Sequence, residues 1–119
     1  MKKLVLILSL ALLSTALFSQ SFVSPINFES NELSKQKVIS FIQKQVKTDF
    51  TAIGMGDPST VRMMEKENLT AFKELTKVTN TSLLKSVIKT YCDIGMCNYS
   101  TILLMYNEQN KASKETLDW

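Results

Sequence analysis

Apolar residues recur at helical spacing along most of this chain, with polar residues at the positions between them. The clearest example is Val38, Ile42, Val46 and Phe50, which follow one another at intervals of four residues. This spacing puts the four side chains on one face of an α-helix and leaves the neighbouring lysines mainly on the other faces. Because glycine readily adopts the left-handed conformation found at helix C-termini, the pattern predicts a first amphipathic helix that ends at Gly54.

Side chains that cap helices indicate where the first two helices begin. Ser30 or Asn31 precedes the first apolar stripe and supplies an oxygen for the free amides of the first turn. Asp57 precedes Pro58, and a capping aspartate followed by proline is typical of a helix start. Apolar residues share one face from that point onward, so we predict a second helix over residues 58–79.

The second half of the chain predicts two shorter helices. Thr81 or Ser82 caps a third helix that ends at Gly95, and Asn98 caps a fourth helix over residues 99–109. The fourth segment is a nearly continuous apolar run, which is also compatible with a β-strand. We favour the helix because the rest of the chain offers no second strand to pair with it.

These segments predict an all-α fold, a small antiparallel four-helix bundle-like domain over residues 31–110. An irregular arm, residues 20–30, precedes this domain and either packs against it or stays mobile. A polar tail, residues 111–119, follows it. We identify neither an internal repeat nor a low-complexity segment in the sequence.

The first residues of the chain have the pattern of a secretory signal peptide. Two lysines precede the apolar run Leu4–Phe18, which is shorter than the ~20 residues that a membrane-spanning helix needs. Small residues predict cleavage between residues 16 and 21, so we assign residues 1–19 to the signal. The alternative is an uncleaved membrane anchor. With cleavage we expect a periplasmic or secreted protein that has no stable membrane span.

Charge and composition narrow the chemistry that the chain can perform. The net charge of +3 includes Lys2 and Lys3, so only +1 is left once the signal is removed. So small an excess of cations argues against nucleic-acid binding. Histidine is absent, which removes histidine bases and histidine metal ligands. Since phosphate-loop and nucleophile motifs are missing too, we expect no enzyme activity, no metal and no cofactor.

Cys92 and Cys97 are the two cysteines of the chain, and Gly95 lies between them. In an exported protein this pair favours a structural disulfide. A redox pair normally has two intervening residues, and a zinc site would need two further ligands. Free or intermolecular thiols are the remaining alternative.

Asn68 falls in the middle of the apolar face of the second helix. We interpret it as a buried amide whose hydrogen bonds are satisfied, and the alternative is that this face is not fully buried. Asn68, Asn80 and Asn98 each match the N-glycosylation acceptor pattern. We interpret all three as helix-face or helix-cap residues.

Several large apolar residues are candidates for a surface that binds a partner protein. Met63 and Leu69 lie outside the apolar stripe of the second helix, and methionine adapts readily to varied contact surfaces. We predict that Met63, Leu69, Leu104, Met105 and Trp119 contribute to this surface, provided that they cluster.

These features favour a small exported binding protein that inhibits or regulates a partner protein. The layout is an export signal followed by one helical domain with a short disulfide. It is similar to that of periplasmic immunity proteins, antiholins and lysozyme inhibitors, a likeness of layout and not of residues. The alternative is a structural or stress-related envelope protein that binds many clients weakly.

Overall fold

Four α-helices make up most of residues 21–119, the part of the chain that the computed structural model describes. They are α1 (Glu32–Ala52), α2 (Pro58–Leu75), α3 (Thr81–Asp93) and α4 (Tyr99–Ala112). The all-α prediction is confirmed, and the segment that was also compatible with a strand is a helix. The predicted signal peptide, residues 1–19, lies outside the described residues, and so do most of its proposed cleavage positions.

An asparagine or aspartate side chain caps the start of every helix in residues 21–119. Asn31, Asp57, Asn80 and Asn98 each accept a hydrogen bond from the backbone amide three residues later. For α3 the prediction of a Thr81 or Ser82 cap was wrong, because Asn80 accepts from the Leu83 amide at 3.1 Å. The interpretation of Asn80 as a helix-face or helix-cap residue is confirmed, and so is the cap predicted at Asn98.

The end of α2 was predicted four residues too late. The helix stops at Leu75, and the Thr76 hydroxyl donates a hydrogen bond to the Lys73 carbonyl oxygen at 2.6 Å. The amide of Lys77 then bonds to the Glu74 carbonyl, a tighter turn than an α-helix makes. Apolar periodicity continues through Val78, but here it belongs to the turn that redirects the chain into α3. In the opposite direction, α4 runs three residues beyond its predicted end.

Two long-range hydrogen bonds show how the helices are arranged. The Asn68 side-chain oxygen accepts from the Ser100 amide at 3.2 Å, and the Tyr106 hydroxyl oxygen accepts from the Asn80 amide at 3.3 Å. Asn68 thus lies beside the first turn of α4, and Asn80, further along the chain, lies beside a later turn of α4. The helices α2 and α4 therefore run in the same direction. The closest helix pairs are α1–α2, α2–α4 and α3–α4. Two antiparallel hairpins thus pack together through their second helices.

The interpretation of Asn68 as a satisfied buried amide is confirmed. Its side chain is 5% exposed, and its amide nitrogen donates to the Met64 carbonyl at 3.0 Å. Its oxygen accepts from the Ser100 amide, one of the backbone donors that the first turn of α4 leaves free. Asn68 therefore acts as a second cap for α4, supplied by the neighbouring helix.

The arm that precedes α1 packs against the domain. The Phe22 ring lies against the rings of Phe41 and Tyr99, with centroids 5.6 and 5.2 Å apart. Further along the arm, the Phe28 ring meets the Phe72 ring edge-to-face at 4.9 Å. Two aromatic anchors therefore hold the arm, which the sequence left as either packed or mobile.

Tyr99 connects the arm to the core of the domain. Its side chain is fully buried, and its ring also contacts those of Phe41 and Phe72. The hydroxyl donates to the Val23 carbonyl at 2.8 Å and accepts from the Val23 amide at 3.2 Å. One phenol thus satisfies both backbone groups of one arm residue. The remaining buried apolar side chains are Val38, Ile42, Val46, Ala71, Leu75, Leu84, Val87, Ile102 and Tyr106.

The two hairpins use the same turn. The sequence Ile-Gly-Met ends both α1 and α3, and each glycine has a positive φ, +76° at Gly54 and +80° at Gly95. The Met55 amide bonds to the Phe50 carbonyl at 2.8 Å, and the Met96 amide bonds to the Tyr91 carbonyl at the same distance. Both turns are Schellman motifs that lead directly into the cap of the next helix. The two turns lie 41 positions apart in the sequence and share only three identical residues in a row.

The predicted disulfide between Cys92 and Cys97 is confirmed, and it closes the second of these turns. The equivalent positions of the first turn hold Thr51 and Gly56. A Cβ atom added at Gly56 would lie 2.9 Å from the Thr51 hydroxyl oxygen and 3.3 Å from its Cα. In the second turn the two cysteine Cα atoms are 4.1 Å apart. Both turns therefore bring the same two positions together, and only one of them carries a covalent link.

We predict that Thr51→Cys combined with Gly56→Cys forms a second disulfide. Gly56 has no positive φ, and a Cβ atom there would lie 3.5 Å from the Thr51 Cβ, a separation that a disulfide spans. A ring of this size stabilises the folded state by about 2 kcal/mol in the loop-entropy description. Peptide mapping under non-reducing conditions should find a 51–56 bridge beside the native one, with a higher melting temperature than Thr51→Ser/Gly56→Ala. Free thiols at 51 and 56 in the oxidised protein would contradict the equivalence of the turns.

Candidate binding groove

The structure distributes the five residues predicted for a partner surface over different regions. Met63 and Leu104 are exposed, and Trp119 is fully exposed in the tail. Leu69 is half-buried between α1 and α2, and Met105 is half-buried against the core. Leu69 and Leu104 line separate hollows, so the five residues do not form one patch. Their role in binding stays a prediction.

The hollow that contains Leu69 is part of a groove along α1 and α2. One section has a volume of about 580 Å³ and the other about 190 Å³. Ile39 and Leu69 line both sections and are only half-buried, so each presents apolar surface to solvent. We call this feature the α1–α2 groove. Its further apolar lining consists of Phe28, Val38, Ile42 and Phe72.

Cationic side chains border the α1–α2 groove on both helices. Lys35 and Lys73 line the larger section, and Arg62 and Lys66 line the smaller one. Glu65 is the carboxylate among the lining residues. The apolar floor is thus framed by positive charge, an arrangement that suits an anionic, partly apolar ligand.

Two of these cations take part in ion pairs on the surface. Lys35 Nζ lies 3.4 Å from Glu32, whose side chain is 87% exposed, and Arg62 lies 3.0 Å from Glu65. The Lys35–Glu32 pair is exposed and contributes little stability, whereas the Glu65 side chain is only 13% exposed and holds Arg62 at the groove wall. Within residues 21–119 neither Lys66 nor Lys73 has an ion-pair partner. These two lysines are available to an anionic ligand.

A second hollow, of about 550 Å³, lies between α2 and α4 and contains Leu104. Its lining mixes both signs of charge, since Glu67 and Glu74 lie there together with Lys66. The Ser100 hydroxyl is buried beside it and has no hydrogen-bond partner among the described residues. The α1–α2 groove combines more apolar surface with an excess of cations, four against the one carboxylate of Glu65, and it is therefore the better candidate site.

Perturbed ionisable groups lie outside the groove. Burial raises the pKa of the Tyr99 phenol, which is enclosed in the core. The backbone amide of Thr60 lowers the pKa of Asp57, the cap of α2, and a hydrogen bond from Lys89 to Asp93 raises the pKa of Lys89. Within residues 21–119 no three Cys, Asp or Glu side chains lie together as a metal site would require. What the groove offers a ligand is a binding surface of apolar contacts and cations.

Only part of this groove was anticipated from the sequence. Leu69 was singled out because it lies outside the main apolar stripe of α2, and Ile39 flanks the stripe of α1 in the same way. These two residues beside the apolar stripes were the features of the sequence that could have indicated the groove. The positions of Lys35 and Lys73 at the groove were not anticipated, because lysines on the polar face of a helix are usually solvated. No family model, no curated protein and no solved structure matches this chain.

Proposed function

We propose that this chain is an exported binding protein that inhibits or regulates a partner protein through the α1–α2 groove. The observation that carries the proposal is the half-exposed pair Ile39 and Leu69 on the floor of a groove framed by cations. Grooves between antiparallel helices are common docking sites for peptide segments, and apolar anchors supply much of the affinity. The partner segment that fits is apolar on one side and acidic at its edges.

Two further observations, the disulfide and the pattern of the N-terminal residues, support an exported protein. The Cys92–Cys97 disulfide leaves no free cysteine in the chain, and disulfides persist mainly in oxidising compartments. Among residues 21–119, no helix is long and apolar enough to cross a membrane. The N-terminal residues have the charge and length pattern of an export signal.

Site-specific photo-crosslinking tests the proposal in the cells that produce the protein. We expect a photoreactive amino acid at position 69 to give one discrete adduct with a different protein. The same amino acid at Lys44, exposed on the polar face of α1, should give none. The activity of the captured protein should fall when it is titrated with wild-type chain, and Leu69→Glu should restore that activity.

Two outcomes would contradict the proposed function. Many weak adducts from both positions would indicate the alternative, an envelope protein that meets many clients. No adduct with another protein at position 69, under several growth conditions, would show that the groove does not receive a protein partner.

A further inference from the structure

The tail after α4 exposes large apolar side chains that contact nothing in their own chain. Leu117 and Trp119 are fully exposed, and Asp118 lies between them. Isolated exposed apolar residues are ordinary, but a leucine and the chain's one tryptophan separated by a single residue form a compact apolar element. In an extended segment both side chains point to the same side, about 7 Å apart.

The same molecule carries a surface that is complementary to this element. The larger section of the α1–α2 groove, about 580 Å³, is of the size that receives a compact apolar ligand. Ile39 and Leu69 offer the apolar contact, and Lys35 and Lys73 stand on its two sides. An acidic residue between two apolar ones would meet these lysines at the rim.

We infer that the tail of one copy docks into the α1–α2 groove of a second copy, with Leu117 and Trp119 on the groove floor. The tail does not lie in the groove of its own chain, because its Leu117 and Trp119 side chains are fully exposed. Each copy has one tail and one groove, so a mutual exchange of tails between two copies fills both grooves and closes the dimer. This dimer does not depend on the proposed partner protein, although the partner would compete with the tail for the same floor.

The charges near the tail agree with this docking. Asp118 has no ion-pair partner among residues 21–119, and neither has Lys73. Glu115 lies 3.9 Å from Lys111, an exposed pair within the tail's own base. Docking therefore brings Asp118 of one copy to Lys73 of the other, and neither residue has to leave an existing ion pair.

Trp119 gives the docking a direct optical signal in the full-length exported protein. We expect tryptophan emission to shift to longer wavelength on dilution, in step with dissociation of a dimer measured by sedimentation velocity. Leu69→Glu damages the groove and Trp119→Ser damages the tail, so each variant alone should be monomeric. An equimolar mixture of the two should form heterodimers, because one intact tail then meets one intact groove.

Control variants separate this result from a loss of folding. Ile94→Glu, exposed where α3 ends on the other hairpin, should dimerise like the wild type. Lys73→Glu is a test of the charge contact and not a control. It changes only an exposed charge and should raise the dimer dissociation constant by about tenfold. Circular dichroism should show the same helix content for all variants at 25 °C, with a modestly lower melting temperature for Leu69→Glu, because Leu69 is half-buried against the core, and an unchanged one for Trp119→Ser.

Three results would overturn the inference. Trp119→Ser that still dimerises would place the contact elsewhere. Short-wavelength emission in a monomer at all concentrations would mean that the tail binds its own groove. Long-wavelength emission up to the highest soluble concentration would mean that the tail does not dock. Each can occur while the photo-crosslink from position 69 to another protein is still obtained, so the inference and the proposed function fail separately.

Discussion

Tyr99→Ala is expected to lower the free energy of unfolding by about 3–5 kcal/mol, the cost typical of truncating a buried aromatic side chain. Tyr99 is fully buried, and its ring meets the rings of Phe22, Phe41 and Phe72. The substitution also releases the arm, because the hydroxyl that binds Val23 is lost with the ring. For a domain of this size the melting temperature should fall by at least about 12 °C.

Tyr99→Phe isolates the contribution of the hydroxyl group. It keeps the ring contacts but leaves both backbone groups of Val23 without their partner, at a cost of about 1–2 kcal/mol. Tyr91→Phe is the matched control, since no hydrogen bond of the Tyr91 hydroxyl is found among residues 21–119. Equal melting temperatures for Tyr99→Phe and the wild type would show that the hydroxyl does not anchor the arm.

The same phenol makes stability depend on alkaline pH. Burial raises the pKa of Tyr99 above its unfolded value of about 10. Above pH ~10 the unfolded chain loses the Tyr99 proton while the folded chain keeps it, so the free energy of unfolding falls as the pH rises. Below pH ~10 both states keep the proton, and Tyr99 does not make stability depend on pH. Denaturant melts at rising pH should show a steeper loss for the wild type than for Tyr99→Phe. Parallel curves would contradict the burial of the phenol.

Replacing both cysteines, Cys92→Ser with Cys97→Ser, is expected to lower the melting temperature by about 8–15 °C. The bridge closes a small ring at the turn between α3 and α4, and its removal frees the unfolded chain more than it disturbs the folded one. The first hairpin makes the same Schellman turn with Thr51 and Gly56 and no bridge. The variant should therefore remain fully helical by circular dichroism at 25 °C, and the wild-type protein purified without reductant should have no reactive thiol.

Two observations would contradict this account of the disulfide. A melting temperature unchanged by the double substitution would show that the Schellman turn alone fixes the hairpin. Loss of helical signal at 25 °C would show that α3 and α4 depend on the bridge to form. Dimerisation through the tail should be the same in the variant and the wild type, because the groove lies on the other hairpin.

The elements of this fold could be predicted from the sequence because they depend on neighbours in the chain. Caps such as Asn31 and Asp57 act on amides three residues away, and the apolar stripe of α1 follows from a regular spacing. Gly54 and Gly95 end helices because their backbone must adopt a positive φ. The disulfide belongs to the same class, since its cysteines are five positions apart in one turn.

The tertiary structure alone decided which faces meet and which stay open. The tertiary structure brings α2 against α4, and it joins the Tyr99 hydroxyl to Val23 and the Asn68 side chain to the Ser100 amide, 76 and 32 positions away along the chain. No local propensity encodes such contacts, because they form only when the whole core excludes water and every buried polar group finds a partner. The α1–α2 groove has the same origin: Ile39 and Leu69 are ordinary flank residues in the sequence, and they become a shared floor only when the two helices pack side by side.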